Sequence, residues 1–430
     1  MDIVTAALLI ALLIAILASG FWIGLTLLGV AVISMQAFTS RPVGDSMAFT
    51  IWGSTSSWTL TALPLFLWMG EILFRSRLTA DLFKGLAPWL ERVPGRLLHA
   101  NVIGCGIFAA VSGSSAATCA TIGKITLPEL KSRGYPDAIS MGSLAGAGTF
   151  GLLIPPSIIM IVYGVATDVS IARLFVAGVV PGLLLMAIFS GYLMWWAWRH
   201  PTQIPAADTH TGFAQKLAAG RHLLPVVSLI TLVIGAIYSG LATATESAAL
   251  GVAGSLILSR LEGTLNWATF KDGLVAACRV YCMIGLILAG AAFLTLAMGF
   301  IGLPREVAAF IGRLHLSPFA LLMLLMLFFI VLGCFLDGIS MVVLTMAVLL
   351  PTVQAAGIDL IWFGIFVVLV VEMAQITPPV GFNLFVLQGL TGRELPELAR
   401  MALPFFGLLV LAVLLIYLFP QTVLWLPGLM

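Results

Sequence analysis

The residues able to do chemistry gather at four interruptions of apolar sequence. The first is Ser112-Gly113-Ser114-Ser115-Ala116-Ala117-Thr118, inside the apolar region 97–130. The second is Gly146-Ala147-Gly148-Thr149-Phe150-Gly151, followed by Ile154-Pro155-Pro156-Ser157. The third is Asp337-Gly338-Ile339-Ser340, inside 316–350. The fourth is Glu372-Met373-Ala374-Gln375-Ile376-Thr377-Pro378-Pro379, with Gly381 and Asn383 beyond it. An unwound turn offers carbonyl and hydroxyl oxygens to a small hard cation, and a helix N-terminus to an anion. Tandem proline removes two backbone donors and breaks a helix, which frees carbonyls one turn earlier. Glycine lets another backbone approach closely. The serine cluster serves either this chemistry or the close packing of helices. Asp337 has three roles open to it: cation ligand, proton acceptor or helix cap. Glu372 and Gln375 either face the same site or close an internal hydrogen-bonded network.

The elements that must position these groups are membrane helices. The chain has 430 residues, 61% of them hydrophobic and 9% charged, with a mean hydropathy of +1.14. So few charges cannot cover a globular surface, which excludes a soluble enzyme and a disordered chain. A net charge of +2 gives no ground for nucleic-acid binding. Apolar segments at 3–18, 21–38, 51–74, 137–166, 172–198, 223–239, 242–259, 276–301, 359–389 and 402–426 predict ten spans. The first two are short and are open to being one helix weakly broken at Ser19-Gly20. Regions 97–130 and 316–350, interrupted in the middle, predict two re-entrant hairpins. Residues 1–18 lack a basic start and an A-x-A site, so they are expected to be a helix and not a cleaved signal.

Sixteen of the twenty Lys and Arg residues share five loops, leaving Arg41, Arg173, Arg305 and Arg313 for the other face. The positive-inside rule makes the five loops cytoplasmic and both termini external. In 76–92, Leu78, Leu82, Phe83, Leu86, Trp89 and Leu90 recur at helical spacing among charges, which predicts an interfacial amphipathic helix. It is either a linker arm or a surface anchor. Cys105, Cys119, Cys278, Cys282 and Cys334 form no CxxC pair and are expected to be small buried hydrophobes. No P-loop, HExxH or GxSxG motif is present. His99, His200, His210 and His222 fall in or near basic loops and His315 at the other face, and they are expected to be interfacial or solvated and not ligands.

The chain matches itself at an offset of 223. Pro128 pairs with Pro351, Gly134 with Gly357, Pro155-Pro156 with Pro378-Pro379, and Pro181 with Pro404. Gly29-Val30-Ala31 and Gly251-Val252-Ala253 match at 222. Each half then has five spans and one hairpin, so the second enters the membrane from the opposite side. An all-α polytopic protein built as an inverted-topology repeat, with two re-entrant hairpins and two broken helices, is a plan of secondary transporters, whose sites lie near the midplane. With no basic cluster inside the membrane, an anionic substrate would need Ser, Thr or Asn groups, helix ends or bound cations; bound Na+ would supply the positive charge that the side chains lack. A channel or membrane scaffold is the alternative of another class. No nucleophile and base pair argues for an enzyme.

The runs SGSSAATCATIGKITLPELKSRGYP, GAGTFGLLIPPS, ESAALGV, GCFLDGISMVVLTMAVLLP and ITPPVGFNLFVLQGL resemble, in order and over essentially the whole chain, the large membrane subunit of tripartite ATP-independent periplasmic transporters. Divalent-anion/Na+ symporters, which act alone, share a similar plan. The resemblance implies a Na+-coupled importer of organic acid anions in the bacterial inner membrane, with no other cofactor. C4-dicarboxylates, sialic acid and other carboxylates are the substrates it leaves open. It implies two partners besides the lipid bilayer: a small four-helix membrane subunit as a separate chain, and a periplasmic substrate-binding protein. It also implies a transport domain that moves as an elevator against a scaffold. Carried onto this chain, 1–96, 167–315 and 391–430 are scaffold and linkers, and 97–166 and 316–390 form the transport domain. The first Na+ site would involve Ser112, Ser114, Ser115, Gly148 and Thr149. The second would involve Asp337, Gly338, Ser340, Ala374 and Thr377. Substrate would meet Ser115, Thr118, Pro155, Pro156, Ser340, Pro378, Pro379 and Asn383.

Overall fold

A computed structural model describes residues 3–205, 212–314, 316–334, 336–379 and 381–430. His210 and His315 lie outside the described residues. Among the described residues every regular element is a helix. The chain opens with α1 (Ile3–Ala18), α2 (Ile23–Phe38), α3 (Val43–Thr55), α4 (Ala62–Phe74) and α5 (Leu78–Leu90). A helical hairpin follows, α6 (His99–Ser112) and α7 (Ser115–Ser132), then a broken helix, α8 (Asp137–Gly148) and α9 (Ile158–Thr167). Next come α10 (Ile171–Arg199), α11 (Phe213–Gly220), α12 (Leu224–Tyr238), α13 (Ala244–Leu261), α14 (Trp267–Ile301) and α15 (Leu303–Arg313). The second hairpin is α16 (Pro318–Gly333) and α17 (Gly338–Ala355), and the second broken helix is α18 (Leu360–Gln375) and α19 (Phe382–Thr391). The chain closes with α20 (Leu395–Leu418) and α21 (Gln421–Leu424).

The interruptions are written in the caps. Gly113 ends α6 in the left-handed region, at φ +62°, where a residue without Cβ costs least. Ser114 then starts α7 by accepting from the Ala117 N–H. Ser157 does the same for α9, Asp337 for α17 and Asp359 for α18. Each such cap contributes about 1 kcal/mol in water. It matters more where no water can replace it.

Five helical stretches are long and apolar enough to span alone: 171–199, 213–238, 267–301, 338–355 and 395–418. That is fewer than the ten expected spans, because several expected spans are divided. Segments 137–166 and 359–389 each consist of two shorter helices around a Pro-Pro break. Segment 51–74 is not one straight span: 43–55 and 58–74 meet at 54° and form a sixth span only as a bent pair. The Thr55 and Ser54 hydroxyls bond back to the Ile51 carbonyl at 2.7 and 3.1 Å, a competition with the helix ladder that ends it locally. Residues 3–18 and 21–38 are two helices, separated at Gly20 with φ +83°. The expected 276–301 span starts nine residues earlier, since an Asn266–Thr269 capping box begins a 35-residue α14. Cys278 and Cys282 on it are exposed, contrary to expectation, while Cys105 and Cys119 are buried. The amphipathic 76–92 segment is α5, with Leu78, Leu82, Leu86 and Leu90 buried.

Helices α2, α3, α4, α12, α13 and α14 pack largely on one another, in the pairs α2–α14, α4–α13, α4–α14 and α12–α13. The hairpins and broken helices form a second group, in which α6, α7 and α8 pack mutually, α17 on α9, α16 on α18, and α19 on α7. Helix α20 packs on α8, α10 and α18. One large apolar core runs through both groups, with a small separate cluster of Leu86, Leu90 and Ala100 between α5 and α6. Helix α5 is tied at its start by the Arg77 N–H, which donates to Glu262 at 3.2 Å. Partial burial pushes the Glu262 carboxyl above its ordinary value, against the lowering effect of that bond. Arg393, between α19 and α20, donates to both Asp137 at the start of α8 and Glu397.

Candidate functional site

The first hairpin tip and first break close on each other. A Cβ on Gly151 would lie 2.4 Å from the Ser114 carbonyl oxygen, so only glycine permits this approach of two backbones. The Ile158 N–H donates to the Gly113 carbonyl at 3.3 Å, which fastens α9 to the tip. Ser112 and Thr118 share a hydroxyl bond of 2.7 Å, and Thr118 also donates to the Ser114 carbonyl at 2.8 Å. Ser115, Thr118, Thr149, Pro155 and Pro156 are buried.

Asn383 joins the two halves of the sequence. Ser115 Oγ donates to Asn383 Oδ1 at 2.7 Å across 268 residues, and Asn383 Nδ2 donates to the Ala145 carbonyl at 3.2 Å. Asn383 is fully buried, and a Cβ on Gly148 would lie 3.1 Å from its amide nitrogen. Ser114, Ser115, Gly148, Gly151 and Asn383 are thus drawn into one neighbourhood. Thr149, the next residue, donates to the Gly146 carbonyl at 2.7 Å.

The second tip is more self-contained. Asp337 Oδ2 accepts from the Ile339 and Ser340 N–H groups at 3.0 and 3.3 Å, and the Ser340 hydroxyl donates to Oδ1. The helix-cap role is therefore occupied, while Asp337 remains half-buried and open to further ligation. Gly338 lies against Val371 and Gln375, and Gly333 against Ala374, so this tip also meets its break. Cys334 Sγ donates to the Pro378 carbonyl at 3.2 Å. The Thr377 hydroxyl donates to the Met373 carbonyl at 2.7 Å. Pro378 and Pro379 are exposed. Both Pro-Pro bonds, 155–156 and 378–379, are cis.

The geometry adds Asn101 to the expected residues. Asn101 on α6 donates to the Ser140 carbonyl and the Ser143 hydroxyl, both at 2.9 Å, and so bolts the hairpin to α8. An Asn in an apolar run was the available signal. Glu372 is fully buried on α18, and Thr149 is the side chain facing it. Among the described residues no group of three or more His, Cys, Asp or Glu side chains is placed to hold a metal ion. A cavity of about 440 Å³ lies elsewhere, lined by 91–96 and by Ala197, Trp198, Pro201 and Ile204. It contains none of the candidate residues.

Among the described residues the chain is all-helical, with apolar spans and oxygen-lined helix breaks. Its fold matches the crystal structure of the Alcanivorax borkumensis YdaH transporter with a TM-score of 0.63 at 14% identity, over 91% of this chain and 95% of that one. Residues 10–422 match the family described as "Tripartite ATP-independent periplasmic transporter, DctM component", and the chain belongs to that family. It is 32% identical to the C4-dicarboxylate TRAP transporter large permease protein DctM of Pseudomonas aeruginosa, over 89% of each chain. It is 33% identical to the isethionate TRAP transporter permease protein DctMQ of Oleidesulfovibrio alaskensis, over 92% of this chain and 61% of the relative. It is 31% identical to the ectoine/5-hydroxyectoine large permease protein UehC of Ruegeria pomeroyi, over 86% of each chain.

Proposed function

We propose that the chain is the translocating subunit of a Na+-coupled importer of small organic acid anions in the bacterial inner membrane, with both termini periplasmic. The observation that carries this is the Ser115–Asn383–Ala145 bridge. It brings a serine-rich hairpin tip from one half and the segment after the Pro-Pro break of the other to one buried place. Oxygen-rich turns held inside protein are the form in which broken backbone is tolerated at membrane depth. They are also where transporters bind ions and substrate.

The order of elements supports an inverted repeat. At an offset of 223, α5 falls on the stretch containing α15, α6–α7 on α16–α17, and α8–α9 on α18–α19. The first Na+ site comprises Ser112, Ser114, Ser115, Gly148 and Thr149. The second comprises Asp337, Gly338, Ser340, Ala374 and Thr377. Substrate lies between the tips and the Pro-Pro breaks, near Ser115, Thr118, Pro155, Pro156, Ser340, Pro378, Pro379 and Asn383. The N-termini of α7, α9 and α17 and the bound Na+ supply positive charge there. The hairpin and broken-helix group moves as an elevator against α2–α4 and α12–α14. Substrate arrives on a periplasmic binding protein, and a small four-helix membrane subunit accompanies the chain. Relatives named for C4-dicarboxylate, isethionate and ectoine transport leave the particular substrate to experiment.

The test is uptake of a panel of radiolabelled organic acids into proteoliposomes holding this chain, the small subunit and the binding protein. The expected result is uptake that needs both an inward Na+ gradient and the binding protein. Uptake indifferent to Na+ removes the coupling. Uptake by this chain alone makes it a stand-alone symporter.

A further inference from the structure

Glu372 is the one carboxylate among the described residues that is fully buried. Neither Oε1 nor Oε2 has a hydrogen-bond partner. Its neighbours along α18, Val370, Val371 and Met373, are buried as well. Among the described residues no Lys, Arg or His is paired with it, and Thr149 is the side chain that faces it. The Thr149 hydroxyl donates to the Gly146 carbonyl at 2.7 Å, and its oxygen lies beside the carboxylate. Carboxylate and hydroxyl oxygens thus converge on one buried point that has a single hydroxyl proton to share. An isolated ionised carboxylate there costs several kcal/mol or more, and something must neutralise it.

We propose that Glu372 is a ligand of a small monovalent cation, Na+ in the first instance, bound between α18 and the Gly148–Thr149 turn. This rests on reading the chain as cation-coupled. Two oxygens of a carboxylate, with the Thr149 hydroxyl opposite, form the all-oxygen environment that hard cations take. The assignment also addresses an inequality of charge. The second tip carries Asp337, whereas the first, Ser112 to Ser115, carries no acid. With Glu372 reaching across from the second half, each site has one carboxylate. The charge of the first site then belongs to a different half of the chain from its hydroxyls, so filling that site links α18 to the first break.

The test needs no substrate. The full-length protein is purified with its small subunit, and its melting temperature is followed as NaCl replaces choline chloride at constant ionic strength. Wild type is expected to gain stability with a saturable Na+ midpoint. Glu372→Gln, which keeps shape and hydrogen-bonding capacity but not charge, should raise that midpoint at least tenfold; Glu372→Asp should raise it less. A Gln variant with the wild-type midpoint overturns the proposal while leaving cation coupling intact. Wild type with no response to Na+ overturns both. Infrared difference spectra of wild type give a second reading should the Gln variant fail to fold. Carboxylate bands that change between Na+ and choline support the proposal. A buried protonated-carboxyl band that persists at saturating Na+ overturns it.

Discussion

The two Pro-Pro breaks carry the same sequence signal in different surroundings. Pro155 and Pro156 are buried, with Gly113, Ser114 and α9 closed around them, whereas Pro378 and Pro379 are exposed. Gly151 and Ala374 occupy equivalent positions at the offset of 223. In the first half the glycine admits the Ser114 backbone itself; in the second, Ala374 faces Gly333. The first tip is held by bonds to distant elements, the second by an aspartate that caps its own helix. Equivalent sequence positions thus have unequal access, because different elements pack around each break.

Substitutions can break this comparison, beginning with the largest effect. Asn383→Ala should destabilise the protein by on the order of 3 kcal/mol, because Ser115 and the Ala145 carbonyl both lose a buried partner. Thermal melting in detergent reads this, and an unchanged melt would show that the bridge does not hold the first site together. Gly151→Ala should cost about 1–3 kcal/mol, since backbone must move. Gly338→Ala should cost less, because the nearest atoms to the new Cβ are side-chain atoms of Val371, Ile159 and Gln375 and not backbone. Equal costs would remove the claim that the first half is the tighter.

Accessibility sharpens the same contrast. In a background lacking the five native cysteines, Pro379→Cys should react with a water-soluble maleimide about tenfold or more faster than Pro156→Cys, since thiol reactivity follows exposure. Similar rates would mean that the two breaks are equally open in the membrane. Ser114→Ala and Thr377→Val should each raise the Na+ concentration for half-maximal uptake about fivefold, the equivalent of one neutral contact near 1 kcal/mol. Unchanged Na+ dependence in both would remove the two site assignments.

The smallest effect is expected at Glu262, where the α5 arm is tethered. Partial burial raises its carboxyl above the ordinary value of 4.5, so the folded state holds the proton more tightly than the unfolded chain. That contribution is present below 4.5 and is lost as pH rises through the raised value. Glu262→Gln should flatten the melting temperature against pH across that window; a profile identical to wild type would show the tether to be neutral.

Much of this was legible in the sequence because the signals are local. Ser114, Ser157, Asp337 and Asp359 each follow the end of an apolar run and precede another, and all four are helix caps. Tandem prolines locate both helix breaks without knowledge of any neighbour. Helix α15 was missed because its charges, Arg305, Glu306 and Arg313, hide it among loop residues. It is nevertheless a helix, held by packing on α17. The bend in 51–74 was missed because hydroxyl residues such as Ser54 and Thr55 in an apolar run do not show whether they bond outward or back to their own helix.

The sequence by itself determined the membrane class, the order of hairpins and breaks, and the residue types at each, since periodicity, caps and prolines act over a few residues. Tertiary structure decided which oxygens meet. Asn383 is a polar residue after a break until it is seen bonded to Ser115, and Glu372 is an expensive carboxylate until Thr149 is seen opposite it. It also decided that one Pro-Pro pair is buried and the other open. Burial depends on the elements packed around a residue, and segments hundreds of residues apart in the chain supply them here.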